Sequence, residues 1–245
     1  AWESNMPAFG DDLDSQAIWG LVLLLEELGK EGSGVDVDAS GAQMYEQRCA
    51  VCHGANGAGD GPLAPESMPP PTDFVHGAYR IRSTPYGAAP LDSDIIGATA
   101  NGVGDTTMGR FLTLGADRLD MLTKHLMSFN QKLFETLPDT LSGSPIPPGS
   151  TLALAGRGRT VYDEAKCSEC HGLTGRGDGP GGLALKDDQG HPSIPTNLTM
   201  RWKFKFGAGA NDVFRSLLAG LNGTPMKSYA ATLSSDDRWA LAHYL

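Results

Sequence analysis

The four cysteines of this chain fall in two copies of one pentad, Cys49-Ala50-Val51-Cys52-His53 and Cys167-Ser168-Glu169-Cys170-His171. Two thiols separated by two residues, followed at once by an imidazole, suit one chemistry. The sulfurs form thioether bonds to a haem, and the histidine ligates its iron from one face. The other face needs a ligand, and the sequence offers one at the same spacing in each copy. Met108 follows His53 by 55 residues, and Met226 follows His171 by 55. Methionine in that position stabilises ferrous iron and raises the reduction potential relative to a second histidine. The expectation is two covalent haem c groups. Cys49 and Cys52 attach one, between His53 and Met108. Cys167 and Cys170 attach the other, between His171 and Met226.

Other readings compete for these residues. A methionine is commonly core filler, but here the spacing is duplicated within two Gly-rich settings, 101–109 and 221–227. Bis-histidine ligation could use His76 or His191, which lie 23 and 20 residues after the pentad histidines and so do not share the repeat offset. His125 and His243 fall on expected closing helices, where a satisfied or exposed histidine is the common outcome. Four cysteines and two histidines could also bind zinc. The 114-residue gap between the pairs and the histidine directly after each Cys-x-x-Cys argue against it. A ligating imidazole needs an acceptor for its far N–H. The segments around Pro62 and Pro180 are candidates to supply it, although a proline after Gly-Asp-Gly is commonly a turn residue.

The pentads belong to a longer repeat. His53 to Pro62 (HGANGAGDGP) matches His171 to Pro180 (HGLTGRGDGP) at an offset of 118 residues. The same offset relates Asp94-Ile95 to Asp212-Val213, Gly102 to Gly220, Met108 to Met226 and Phe111 to Tyr229. A repeat of this length means two copies of one domain. The expected division is a first domain over 35–137, a Pro/Ser/Gly-rich linker over 138–150 and a second domain over 151–245. Residues 1–34 read as the tail of a further domain of the same kind. Met6 and Phe9 repeat the Met-x-x-aromatic pattern, and Leu13 and Trp19 stand where Leu233 and Trp239 stand after Met226. The plainer reading of that segment is a short amphipathic helix.

The elements that must position these residues are helices separated by long Gly/Pro-rich loops. Ser40 and Gln43 form a capping box, Ser150 is a candidate cap for a helix carrying Gly158, Val161 and Tyr162, and Ser234 introduces a terminal helix. A closing helix over 116–130 turns Leu119, Leu122, Leu126 and Phe129 inward. Chains so rich in loops seldom pack a core unaided, and a flat macrocycle in each domain would fill one. Tyr79-Arg80-Ile81-Arg82 aligns with Trp202-Lys203-Phe204-Lys205. Such alternation could set rings against a macrocycle edge and cations near its propionates, or could be an ordinary segment with solvated basic side chains. At 245 residues the chain has room for two domains. Its formal charge of −10 argues against nucleic acid and anionic membrane as partners. The most apolar run, 18–25, is far short of the roughly 20 residues of a membrane span. The start at Ala1 fits a processed or trimmed chain.

On these residues the sequence resembles the class I cytochrome c family in a tandem dihaem arrangement. The two Cys-x-x-Cys-His-Gly segments, the Gly-Asp-Gly-Pro loops and the Met-x-x-aromatic segments carry the likeness. The resemblance implies an all-α fold of two tandem cytochrome c domains. Each would be a few helices around one covalent haem, with its first and last helices crossing near one haem edge. It also implies single-electron transfer between redox partner proteins in a respiratory or oxidoreductase chain, in the periplasm. A periplasmic oxidoreductase or a larger complex would be such a partner, and no nucleic acid would be. The rival is a dihaem enzyme such as a cytochrome c peroxidase, which needs an iron with a vacant or displaceable ligand. The duplicated methionines argue against that. A haem enzyme with a cysteine ligand is disfavoured because no cysteine is spare.

Overall fold

A helix begins at Gly41 because Ser40 caps it. The Ser40 hydroxyl accepts from Gln43 N (3.3 Å), and the Gln43 side chain accepts from Ser40 N (2.8 Å), closing the reciprocal box that satisfies two orphan donors. This computed structural model describes residues 40–136, 141, 149 and 151–245. The helices of the first half are α1 (Gly41–Arg48), α2 (Ala50–His53), α3 (Asp92–Asn101) and α4 (Ala116–Ser128). Those of the second are α5 (Leu152–Glu164), α6 (Ser168–His171), α7 (Ala210–Ala219) and α8 (Ser235–Tyr244). Short 3₁₀ turns and loops fill the rest. No strand occurs among the described residues, only an isolated bridge between Lys186 and Pro192. The fold is all-α, as expected. Residues 1–34, with Met6, Leu13 and Trp19, and all of 138–150 except Leu141 and Gly149 lie outside the described residues. The cap of α5 is Thr151, whose hydroxyl accepts from Leu154 N at 3.1 Å, and not Ser150.

In each half the first helix crosses the last, and a glycine sets the approach. A Cβ on Gly41 would lie 2.2 Å from Met121 O of α4, and one on Gly158 would lie 2.1 Å from Ala240 O of α8. Four residues beyond each glycine comes a buried tyrosine. Tyr45 donates to Gly54 O and Tyr162 to Gly172 O, both at 2.7 Å. The crossing is thereby tied to the loop leaving each pentad.

The halves differ by one residue between tyrosine and pentad. Cys49 N donates to Tyr45 O, whereas Cys167 N donates to Tyr162 O five residues back. Lys166 absorbs the extra residue in the left-handed region, at φ 58°, which is uncommon for a residue with a Cβ.

Leu119, Leu122 and Leu126 of α4 are buried, as are Met44 and Tyr45 of α1, the helix it packs against. Phe129 is half-buried and stacks on Phe74, with ring centroids 6.1 Å apart. In the second half Trp239 of α8 stacks on Phe214 of α7 at 4.2 Å, within a core that includes Val161, Val213, Leu217 and Leu241.

Candidate functional site

Each pentad forms a single helical turn, α2 or α6, closed by a glycine in the left-handed region: Gly54 at φ 78° and Gly172 at φ 81°. The Gly-Asp-Gly-Pro loop then folds back onto that turn. Gly59 N donates to His53 O and Gly61 N to Cys52 O. Gly177 N and Gly179 N do the same for His171 O and Cys170 O. These bonds satisfy carbonyls orphaned at the helix end. A Cβ on Gly61 would lie 2.5 Å from Val51 O, and one on Gly179 would lie 2.4 Å from Glu169 O, so the loop needs glycine there.

The imidazole acceptor comes from further along the chain. His53 Nδ1 lies 3.0 Å from Thr72 O, and His171 Nδ1 lies 3.0 Å from Thr196 O. This corrects the expectation for Pro62 and Pro180. A carbonyl only accepts, so Nδ1 carries the proton and Nε2 keeps its lone pair. The sequence signal was present but unread: Pro71-Thr72-Asp73-Phe74 repeats as Pro195-Thr196-Asn197-Leu198. Burial holds both imidazoles below their usual pKa, against the opposing pull of the threonine carbonyls. Neutral imidazole is the form a metal requires.

The methionine loops are also built twice over. Thr106 Oγ1 donates to Val103 O (2.8 Å) and accepts from Met108 N (3.1 Å). Thr224 Oγ1 donates to Leu221 O (2.8 Å) and accepts from Met226 N (3.2 Å). Gly102, at φ 69°, and Gly220, at φ 67°, end α3 and α7 and let the methionine backbone pass close: their Cβ atoms would lie 2.8 Å from Met108 O and 3.0 Å from Met226 O. The two threonines sit at the repeat offset and went unnoticed as positioning residues in the sequence.

These pieces converge on two cavities. The first, of about 210 Å³, is lined by Cys49, Cys52, His53 and Met108, with Phe74, Leu122 and Leu126 among its apolar walls. The second, of about 460 Å³, is lined by Cys167, Cys170, His171 and Met226, with Leu198, Leu217 and Leu241. The structure thus gathers each expected cysteine pair, histidine and methionine around one predominantly apolar space. That donor set and its apolar lining fit haem c.

His76 and His191 line neither cavity. They turn outward, with Nδ1 2.6 Å from Asp73 and 3.4 Å from Asp187. His125 packs on Tyr45 and Phe129, and His243 lies beside Trp239. No group of three or more His, Cys, Asp or Glu side chains converges as a metal site among the described residues.

The aromatic–basic segments behave unequally. Tyr79 is buried, donates to Leu126 O (3.3 Å) and lines the first cavity. Trp202 is 74% exposed and lines neither cavity. Ile81 and Phe204 take equivalent places in the first and second cavity walls. Arg82 is fully buried. It donates to Pro85 O and, across to the second half, to Ala219 O at 2.8 Å, the last residue of α7. A cation is well placed at that negative helix end.

The family model for cytochrome c matches residues 39–130 and again 155–245. The chain is 28% identical over 163 residues to the cbb3-type cytochrome c oxidase subunit CcoP of Azospirillum brasilense, an alignment covering 64% of this chain and 46% of that protein. The corresponding subunit from Azospirillum sp. (strain B510) is 29% identical over 159 residues, 60% of this chain and 46% of the relative. The chain therefore spans less than half the length of these relatives. Among solved structures, a chain of the Kuenenia stuttgartiensis reducing HAO-like protein complex Kustc0457/Kustc0458 superposes with a TM-score of 0.79 at 38% identity, covering 83% of this chain and 93% of that one.

Proposed function

Given that the chain belongs to the cytochrome c family, with one domain of it around each cavity, we propose that it is an electron carrier or electron-transfer subunit that performs no chemistry on a substrate. Two haem c groups are the cofactors, attached through Cys49 and Cys52 and through Cys167 and Cys170. Haem iron supplies a one-electron ferric–ferrous couple, and the protein's part is to bind, insulate and tune it. His53 and Met108 would hold the iron in the first domain, and His171 and Met226 would hold it in the second.

The observation that carries this reading is the duplicated support of both ligands. Thr72 and Thr196 carbonyls hold the imidazoles with Nε2 unprotonated, and Thr106 and Thr224 hydroxyls fix the methionine loops. With histidine and methionine both holding it, the iron would offer peroxide no open site, which favours the carrier over a dihaem peroxidase.

Redox proteins are the partners, and a multi-subunit complex is the natural setting, since the relatives are oxidase subunits and the structural neighbour comes from a complex. The site of action is extracytoplasmic, as covalent haem attachment of this type implies. Among the described residues no helix is long and apolar enough to cross a membrane. The domains run over 35–137 and 151–245.

A pyridine haemochrome assay on the purified chain should return two haems. Reduced-minus-oxidised spectra should show low-spin c-type bands, and Met226→His should lower one midpoint potential while leaving the other near its original value. Ready carbon monoxide binding by native ferrous protein would overturn the carrier reading.

A further inference from the structure

The chain as a whole is strongly acidic, yet the wall shared by the two cavities is basic. Arg80 and Lys205 each line both cavities. They come from opposite domains, and each reaches across to the other. Arg80 Nη2 lies 3.1 Å from Asp187 of the second domain, and its Nη1 donates to Pro70 O in its own. Lys205 Nζ lies 3.3 Å from Gly104 O and 3.4 Å from Asp105 O of the first domain. The backbones touch at this seam, since a Cβ on Gly104 would lie 2.3 Å from Phe204 O.

The charges along the seam do not cancel. Arg80, Lys203 and Lys205 face Asp187, which pairs with Arg80, and Asp105, which pairs with Lys203 at 3.1 Å. Lys205 hydrogen-bonds carbonyls rather than a carboxylate. Burial, with Arg80 and Lys203 beside it, pushes its pKa down against the pull of Asp105. Leaving a cation partly buried and incompletely paired is unfavourable unless an anion completes the site. Resting on the two-haem reading above, the anions at hand are the macrocycle carboxylates.

We propose that Arg80 and Lys205 form one electrostatic bridge serving both haem sites, so that each cation raises the reduction potential of both irons. A positive charge near a redox centre favours the state with one more electron. A cation in a wall common to two centres acts on both. The crossed anchoring, each cation held by the opposite domain, fixes it at the seam. Both potentials then respond to the same residues.

Spectroelectrochemical titration of the holoprotein tests this with Arg80→Gln, Lys205→Gln and the conservative Arg80→Lys. Each glutamine variant is expected to lower the equilibrium constant for reduction of both haems by about three- to tenfold, tenfold being ~59 mV for one electron. Arg80→Lys keeps the charge and should keep both midpoints near those of the unaltered protein. A shift confined to one haem in both glutamine variants would overturn the bridge. So would unchanged midpoints, or a fall in Arg80→Lys as large as in Arg80→Gln. Lys205→Gln, at a half-buried residue, decides the matter if Arg80→Gln fails to load haem. A haemochrome count below two per chain in the unaltered protein would instead remove the haem reading itself.

Discussion

Gly156 and Gly158 lie two residues apart on α5, yet adding the same methyl group should move stability in opposite directions. A Cβ on Gly158 would lie 2.1 Å from Ala240 O, 2.7 Å from Ala240 C and 2.6 Å from Tyr244 Cβ. Non-bonded heavy atoms sit at ~3.5 Å, so α8 would have to retreat by more than an ångström at its closest point. Two of the three obstacles are backbone atoms, which cannot rotate away. Overpacking of this kind costs about 1–3 kcal/mol, and the rigid obstacle places Gly158→Ala near the top of that range. Exchanging glycine for alanine inside a helix returns about 1 kcal/mol. The net loss is then about 2 kcal/mol, a fall in Tm of roughly 4–8 °C for a protein of this size. Gly156 is exposed and meets nothing within 4 Å. There only the propensity gain acts, and Gly156→Ala should raise Tm by about 2–4 °C. Thermal melts of both haem-loaded variants, followed by far-ultraviolet circular dichroism, measure the difference. A rise in both, or an equal fall in both, would mean that the helix crossing tolerates a methyl group and that its close approach does not depend on glycine.

Removing the buried tyrosine hydroxyls should cost little and equally: Tyr45→Phe and Tyr162→Phe each lose about 1 kcal/mol in denaturant titration, because Gly57 N and Gly175 N still donate to the same carbonyls. The same phenols predict alkaline sensitivity. Burial is the main cause that raises both pKa values well above the ordinary 10.0. The unfolded chain thus loses these protons first, and stability that is fully present below pH 10 is lost as pH rises beyond it. The double phenylalanine variant should show a shallower alkaline decline, and an unchanged decline would exonerate the tyrosines. Thr224→Val removes the hydroxyl that accepts from Met226 N. Ferrous protein should then bind carbon monoxide at one haem more readily than unaltered protein does, as followed by Soret spectroscopy.

The chemistry of this chain was legible without coordinates wherever it is local. Cys-x-x-Cys-His spans five residues on one helical turn, so residue type and spacing alone dictate its geometry. The capping box at Ser40 and Gln43 and the cap at Ser234 are equally short-range, and both form as read. The 118-residue repeat carried the methionines, because duplication makes coincidence improbable. Where a reading rested on nearness in sequence without a closing contact, it failed. Pro62 and Pro180 follow the histidines closely, but the carbonyls that meet the imidazoles belong to Thr72 and Thr196. The aromatic–basic segments match the pattern in part: Tyr79 and Phe204 line the cavities, whereas Trp202 is exposed.

What folding alone decided is which distant groups meet. His53 finds its acceptor 19 residues away and His171 finds its own 25 away, with intervening loops of unequal length that no fixed offset describes. Helical spacing groups Gly158 with Val161 and Tyr162, but the contact that forbids a methyl group there arises only when α8 is laid across α5. Arg80 and Asp187 are separated by 107 residues, and only the packing of one domain on the other brings them together. Covalent attachment and helix capping are set by bonds and dihedral angles within a turn. Acceptors, crossings and the basic seam depend on surfaces that come into being when the chain collapses.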